Sequence, residues 1–85
     1  MATNYKNMTA SAQVKSSAGT LTGMYVNSTN AGTIKFWDQT TAAVPVLNNT
    51  ITPAIGYHDL GNVAFNTALY ATIAGTALDV TLYYN

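Results

Sequence analysis

The chain has 85 residues, no cysteine, one histidine, three lysines, no arginine, three aspartates and no glutamate, so that only 7% is charged and the formal net charge is zero. This composition excludes disulfides and any metal site made of protein nitrogen and sulfur ligands. It also excludes the basic stripe a nucleic-acid binder needs, and no apolar run approaches the ~20 residues of a membrane-spanning helix.

At this length one domain buries only roughly 60–65% of the surface its unfolded chain exposes, and the core is thin. Small domains without disulfides or metals gain stability by associating. A surface with 7% charge, against an average of about 25%, offers little repulsion to oppose that. The opening Met-Ala-Thr-Asn-Tyr-Lys lacks the apolar core of a secretory leader, so the product is expected to stay in the compartment where it is made.

Residues 1–12 are mostly polar apart from Tyr5 and Met8 and read as an N-terminal arm, followed by a single domain over residues 13–85. Ala12, Gln13, Val14 and Lys15 predict a short edge strand, with the lysine discouraging unwanted pairing. Residues 19–38 are the expected nucleus of the sheet, a hairpin of two strands. In the first, Leu21, Gly23 and Tyr25 alternate with Thr22, Met24 and Val26; in the second, Ile34 and Phe36 alternate with Lys35 and Trp37. Between them residues 27–32 carry turn-forming side chains, with Asn30 and Gly32 expected at positive φ.

Residues 39–43 form a small-residue loop. Pro45 demotes residues 44–47 to an edge segment or an irregular crossing, and Pro53 stops a brief strand over residues 50–52. Gly56 and Gly61 suggest bends around a short strand. In the last third, Leu69, Ala71 and Ile73 alternate with Tyr70 and Thr72, and residues 74–76 are expected to turn. Leu78, Val80, Leu82 and Tyr84 then face one way while Asp79, Thr81 and Tyr83 face the other. No window has apolar residues at helical spacing among helix formers. The pattern predicts an all-β fold, a small antiparallel β-sandwich or barrel of about seven to eight short strands.

No catalytic constellation is legible. His58 and Asp59 are the one imidazole–carboxylate neighbours, but adjacent strand residues point to opposite faces and do not form an acid–base dyad. Asp38, Asp59 and Asp79 fit no calcium-loop spacing. No serine lies in a nucleophile elbow, and the glycines punctuate strands without forming a phosphate-binding loop. The chain is therefore expected to be non-enzymatic and to need no cofactor. Its aromatic residues, Trp37, Tyr25, Tyr57, Tyr70, Tyr83 and Tyr84, suit a core, a subunit interface or a stacking surface for sugars, because each use combines an apolar face with a polar edge.

The runs Gly19-Thr-Leu-Thr-Gly, Tyr25-Val-Asn-Ser-Thr, Ala31-Gly-Thr-Ile-Lys with an aromatic pair and Asp38, Leu60-Gly, and Ala68-Leu-Tyr-Ala-Thr-Ile-Ala-Gly-Thr resemble small β-rich virion proteins of tailed bacteriophages. The resemblance covers about residue 14 to the C-terminus. It implies a capsid decoration or cement protein carried in the phage particle, with the major capsid protein lattice as partner. Association as a small oligomer, a trimer foremost, fits the composition. Expected contacts are Tyr5 and Met8 in the arm and Trp37, Tyr57, His58, Tyr83 and Tyr84 on faces or edges. Two other readings stand beside it: a glycan-binding surface module built around Trp37, and a tail or fibre subunit that completes a neighbour's sheet.

Overall fold

Alternating stretches rich in Thr, Val, Tyr and Ile become strands, and no helix forms among the described residues. The computed structural model describes residues 4–85 as two four-stranded antiparallel sheets packed together without closing into a barrel. The strands in chain order are β1 (Asn4–Met8), β2 (Ala12–Lys15), β3 (Gly19–Trp37), β4 (Val46–Ile51), β5 (Gly56–Phe65) and β6 (Leu69–Tyr84). Six segments build eight strands because β3, with 19 residues, and β6, with 16, each serve both sheets. The first sheet has the order β1-β6-β3-β5 and the second β2-β6-β3-β4.

The hairpin expected over residues 19–38 does not form. Both of its strands are parts of β3, and both pair with β6: Leu21 to Ser28 lie opposite Tyr84 to Asp79, and Thr33 to Trp37 lie opposite Ala74 to Tyr70. The segment read as a turn is instead where β3 passes from one sheet to the other, as strands at a sandwich corner do through bulges. Likewise the turn expected at residues 74–76 is the crossing of β6. Positive φ falls on Ala31 (56°) in the first crossing and on Gly75 (90°) and Ala77 (59°) in the second. The two Ala-Gly-Thr triplets meet here. A side chain at Gly75 would come within 2.9 Å of the Gly32 Cα, and one at Gly32 within 2.7 Å of the Leu78 Cβ. Ser28 Oγ donates to the Ala77 carbonyl at 3.0 Å and ties the crossings together.

The chain thus consists of two consecutive units with one plan: short strand, short strand, long bent strand. β1 and β2 line both halves of β6, and β4 and β5 line both halves of β3. Exchanging the units carries the first sheet onto the second.

Residues 4–8 of the expected arm belong to the fold; residues 1–3 lie outside the described residues. β1 pairs with β6 in unbroken register from Asn4 opposite Tyr84 to Met8 opposite Val80. Met8, expected on an exposed arm, is 3% exposed and part of the core. Hydrogen bonding of the strand places it there, since Val80 on the same face is fully buried. Lys6, opposite buried Leu82, occupies the inward face of an edge strand, a placement that opposes edge-to-edge addition.

The core is filled mainly by the long strands: Leu21, Met24, Val26, Ile34 and Phe36 from β3, and Leu69, Ala71, Leu78, Val80 and Leu82 from β6. Each of the larger side chains contributes about 1.5–3 kcal/mol relative to exposure. Alternation alone puts Leu21 on the face of Gly23 and Tyr25; a register shift at Thr22 flips it into the core with Met24 and Val26. Thr22 Oγ1 is left buried there without a hydrogen-bond partner.

The two ends of the long strands are held differently. After β3, the buried Asp38 carboxylate accepts from the N–H groups of Asn66, Thr67 and Ala68, with the shortest contact 2.8 Å from Thr67. Burial alone would raise its pKa, but these three backbone donors outweigh that and hold it below the ordinary 3.8. After β6, the corresponding corner is closed by main chain: Asn85 exchanges backbone hydrogen bonds with Thr20 at 2.9 and 3.3 Å.

Candidate functional site

The outer face of the first sheet gathers the exposed tyrosines. Period-two alternation sends Tyr5, Tyr25, Tyr57 and Tyr83 outward, and strand register brings them together: Tyr5 lies opposite Tyr83, Tyr83 opposite Gly23, and Tyr25 opposite Tyr57. The Tyr57 and Tyr83 rings stand 6.3 Å apart between centroids and tilted by 39°. Gly23 makes this possible, because the Tyr57 ring lies over it; a side chain at Gly23 would also come within 2.8 Å of the His58 carbonyl oxygen. Tyr5 is 75% exposed, Tyr57 52% and Tyr25 42%.

Two residues along the same strands the face changes character. Asn7, Asn27, Asp79 and Thr81 form an amide and carboxylate row. Asp79 Oδ1 accepts from Asn7 Nδ2 at 2.7 Å and from Asn27 Nδ2 at 3.3 Å, and both amides also reach Thr81 Oγ1 at 3.3 Å. The face therefore has two bands, tyrosine rings beside fixed hydrogen-bonding groups. The carboxylate is held by neutral amides, so its charge stays uncompensated by any cation in the row.

The seven expected contact residues do not converge. Tyr5, Tyr57 and Tyr83 share this face. Met8 is core, and Tyr84 points inward and packs against the core. Trp37 lies on the outer face of the second sheet, half-buried, donating from Nε1 to Thr72 Oγ1 at 3.2 Å with Lys35 Nζ 4.3 Å above its ring. Of the tyrosines expected around Trp37, only Tyr70, its register partner on β6, shares that face; Tyr25, Tyr57 and Tyr83 belong to the first sheet. His58 is on the inward side of edge strand β5, its Nε2 2.7 Å from the Ala54 carbonyl oxygen. Asp59 points outward and accepts from the Gly61 N–H at 2.8 Å. The two side chains do not meet.

Sequence reasoning missed Asn7, Asn27, Asp79 and Thr81. A signal was present: Tyr5-Lys6-Asn7 and Tyr25-Val26-Asn27 repeat Tyr-x-Asn on strands that flank β6, whose Asp79-x-Thr81-x-Tyr83 runs the opposite way. The flat face has no concave pocket among the described residues, and no three of His, Asp or Glu among them gather as metal ligands. Such a surface suits stacking and shape contact over a broad partner. No family model, curated protein or solved structure matches the chain.

Proposed function

We propose that the chain is a non-enzymatic structural component of a phage particle, a decoration protein that docks through the tyrosine face of its first sheet onto the assembled major capsid lattice. The observation that carries this reading is the cluster of Tyr5, Tyr25, Tyr57 and Tyr83 on one face of the first sheet. Aromatic enrichment is one of the features that distinguish the centre of a protein interface from ordinary surface. The mechanism is linkage: a protein that binds only the assembled lattice stabilises it by mass action. Association into a trimer raises the number of such faces per particle and strengthens attachment without new contacts.

The test is co-sedimentation of purified protein with empty phage heads, beside light scattering for its mass. Saturable pelleting and a mass that is a multiple of 9.0 kDa are expected. A Tyr5→Ala/Tyr57→Ala variant should stay folded and lose pelleting. A folded monomer that ignores heads would overturn the proposal, and electron microscopy showing the protein on tails would move it to the fibre reading.

A second reading, glycan binding, is favoured by one specific observation, the Asn7–Asp79–Asn27 row beside the tyrosine rings. Sugars use that combination, rings for their C–H faces and amides or carboxylates for their hydroxyls. Chemical-shift changes confined to these residues during titration with oligosaccharides would support it; a flat titration across a glycan panel would remove it.

A further inference from the structure

Every strand pairing among the described residues joins the first unit of the chain to the second. β1 and β2 pair with β6, β4 and β5 pair with β3, and β3 pairs with β6; no two strands within β1–β3 pair with each other, and none do within β4–β6. The core is divided the same way, with Leu21, Met24, Val26 and Phe36 facing Leu69, Leu78, Val80 and Leu82. Neither unit has a sheet of its own, and each presents the other with all the backbone groups it needs.

One short connection, residues 38–45, decides which copy of the partner unit is used. Thr40, Thr41, Ala42, Val44 and Pro45 along it are exposed, and one backbone hydrogen bond, from the Asp38 N–H to the Pro45 carbonyl at 3.0 Å, closes its ends. A second copy of the chain supplies an identical surface, and with zero net charge the copies do not repel one another.

We propose that two copies of this chain exchange halves, forming a dimer in which β1–β3 of each copy pair with β4–β6 of the other. The pairings are the same in monomer and dimer, so the balance between them is set by the connection alone. A short flexible tether gives its two ends an effective concentration in the mM range. Exchange therefore becomes populated as the protein approaches that concentration. Because no unit can leave while its ladders hold, the dimer forms on folding and persists on dilution.

The chain has no cysteine, which allows a direct test. Gln13 on β2 and Tyr70 on β6 are register partners in different units. Paired strand residues have Cα atoms about 4.5–5.5 Å apart, inside the range a disulfide spans. In Gln13→Cys/Tyr70→Cys the bridge is within one chain in the monomer and between chains in the exchanged dimer. Oxidation after refolding at about 50 µM should yield mainly monomer on a non-reducing gel, and at about 2 mM a covalent dimer should make up roughly half, following the effective concentration of the tether. Only intrachain bridges at both concentrations would overturn the proposal.

Wild-type protein gives an independent reading that needs no bridge. Refolded at the higher concentration and diluted into the µM range, it should keep a mass of twice 9.0 kDa by light scattering for hours. A mass that falls to the monomer within seconds indicates copies stacked by their surfaces, and would overturn exchange.

Discussion

The two sheets share a strand order and differ in what they do with their outer faces and corners. The second sheet ties down its outer tryptophan: Trp37 is hydrogen-bonded to Thr72 and covered by Lys35. The first leaves Tyr5, Tyr25 and Tyr57 largely exposed. The second sheet's corner is closed by a buried carboxylate with three backbone donors, the first sheet's by backbone exchange between Asn85 and Thr20. One architecture has thus been divided between a tightly held side and a side that leaves its rings exposed.

The largest expected effect breaks the corner comparison. Asp38→Ala leaves the N–H groups of Asn66, Thr67 and Ala68 without their acceptor and should cost about 3 kcal/mol in urea unfolding, with water at the exposed loop limiting the loss. Asn85→Ala, which removes a 3.4 Å side-chain bond to Thr20 and keeps the backbone pair, should cost under about 1 kcal/mol. Equal losses would show the corners to be equivalent.

The same carboxylate sets a pH dependence. Its folded pKa lies below the ordinary 3.8, so its stabilisation is present above that value and is lost as pH falls through the folded pKa. Wild-type stability measured across the acid range should decline there more steeply than that of Asp38→Ala.

Next in size is the support of the tyrosine face. Gly23→Ala puts a methyl group under the Tyr57 ring and against the His58 carbonyl, and should cost about 2 kcal/mol as the ring is displaced. Loss of the Tyr57–Tyr83 contact would appear as a change in tyrosine near-ultraviolet dichroism. An unchanged spectrum and stability would mean that the ring does not depend on the glycine.

The faces themselves should separate by about 1 kcal/mol. Trp37→Ala removes a half-buried ring, a hydrogen bond and a cation contact, and is expected to cost about 1.5 kcal/mol, whereas Tyr5→Ala should stay within about 0.5 kcal/mol. Comparable losses would place Tyr5 among residues kept for the fold. The smallest expected effect is a gain: Thr22→Val replaces a buried hydroxyl without a partner by a methyl group of similar size and should raise stability by up to about 1 kcal/mol. A loss would show that the hydroxyl is satisfied in solution.

Alternation is a local property, and what rests on it was legible in the residues. The all-β class, the inward set Leu78, Val80, Leu82 and Tyr84, and the outward Lys35 and Trp37 follow from period two alone, whatever strand lies alongside. The edge strand at residues 12–15 was legible in the same way, although its partner was not. Tertiary structure decided whether residues 27–32 turn or cross, because a chain bend becomes a hairpin only if its own two arms pair, and here β6 outcompetes that pairing along the whole of β3. It also made β1 a strand, since Asn4, Lys6 and Asn7 carry little strand preference and are held by a ladder from residues more than seventy positions away. The candidate face depends on this most. Tyr-x-Asn occurs three times in the sequence, but only the register of four strands places Tyr5, Tyr25, Tyr57 and Tyr83 around Gly23, and register is fixed by hydrogen bonds between segments that share no local signal.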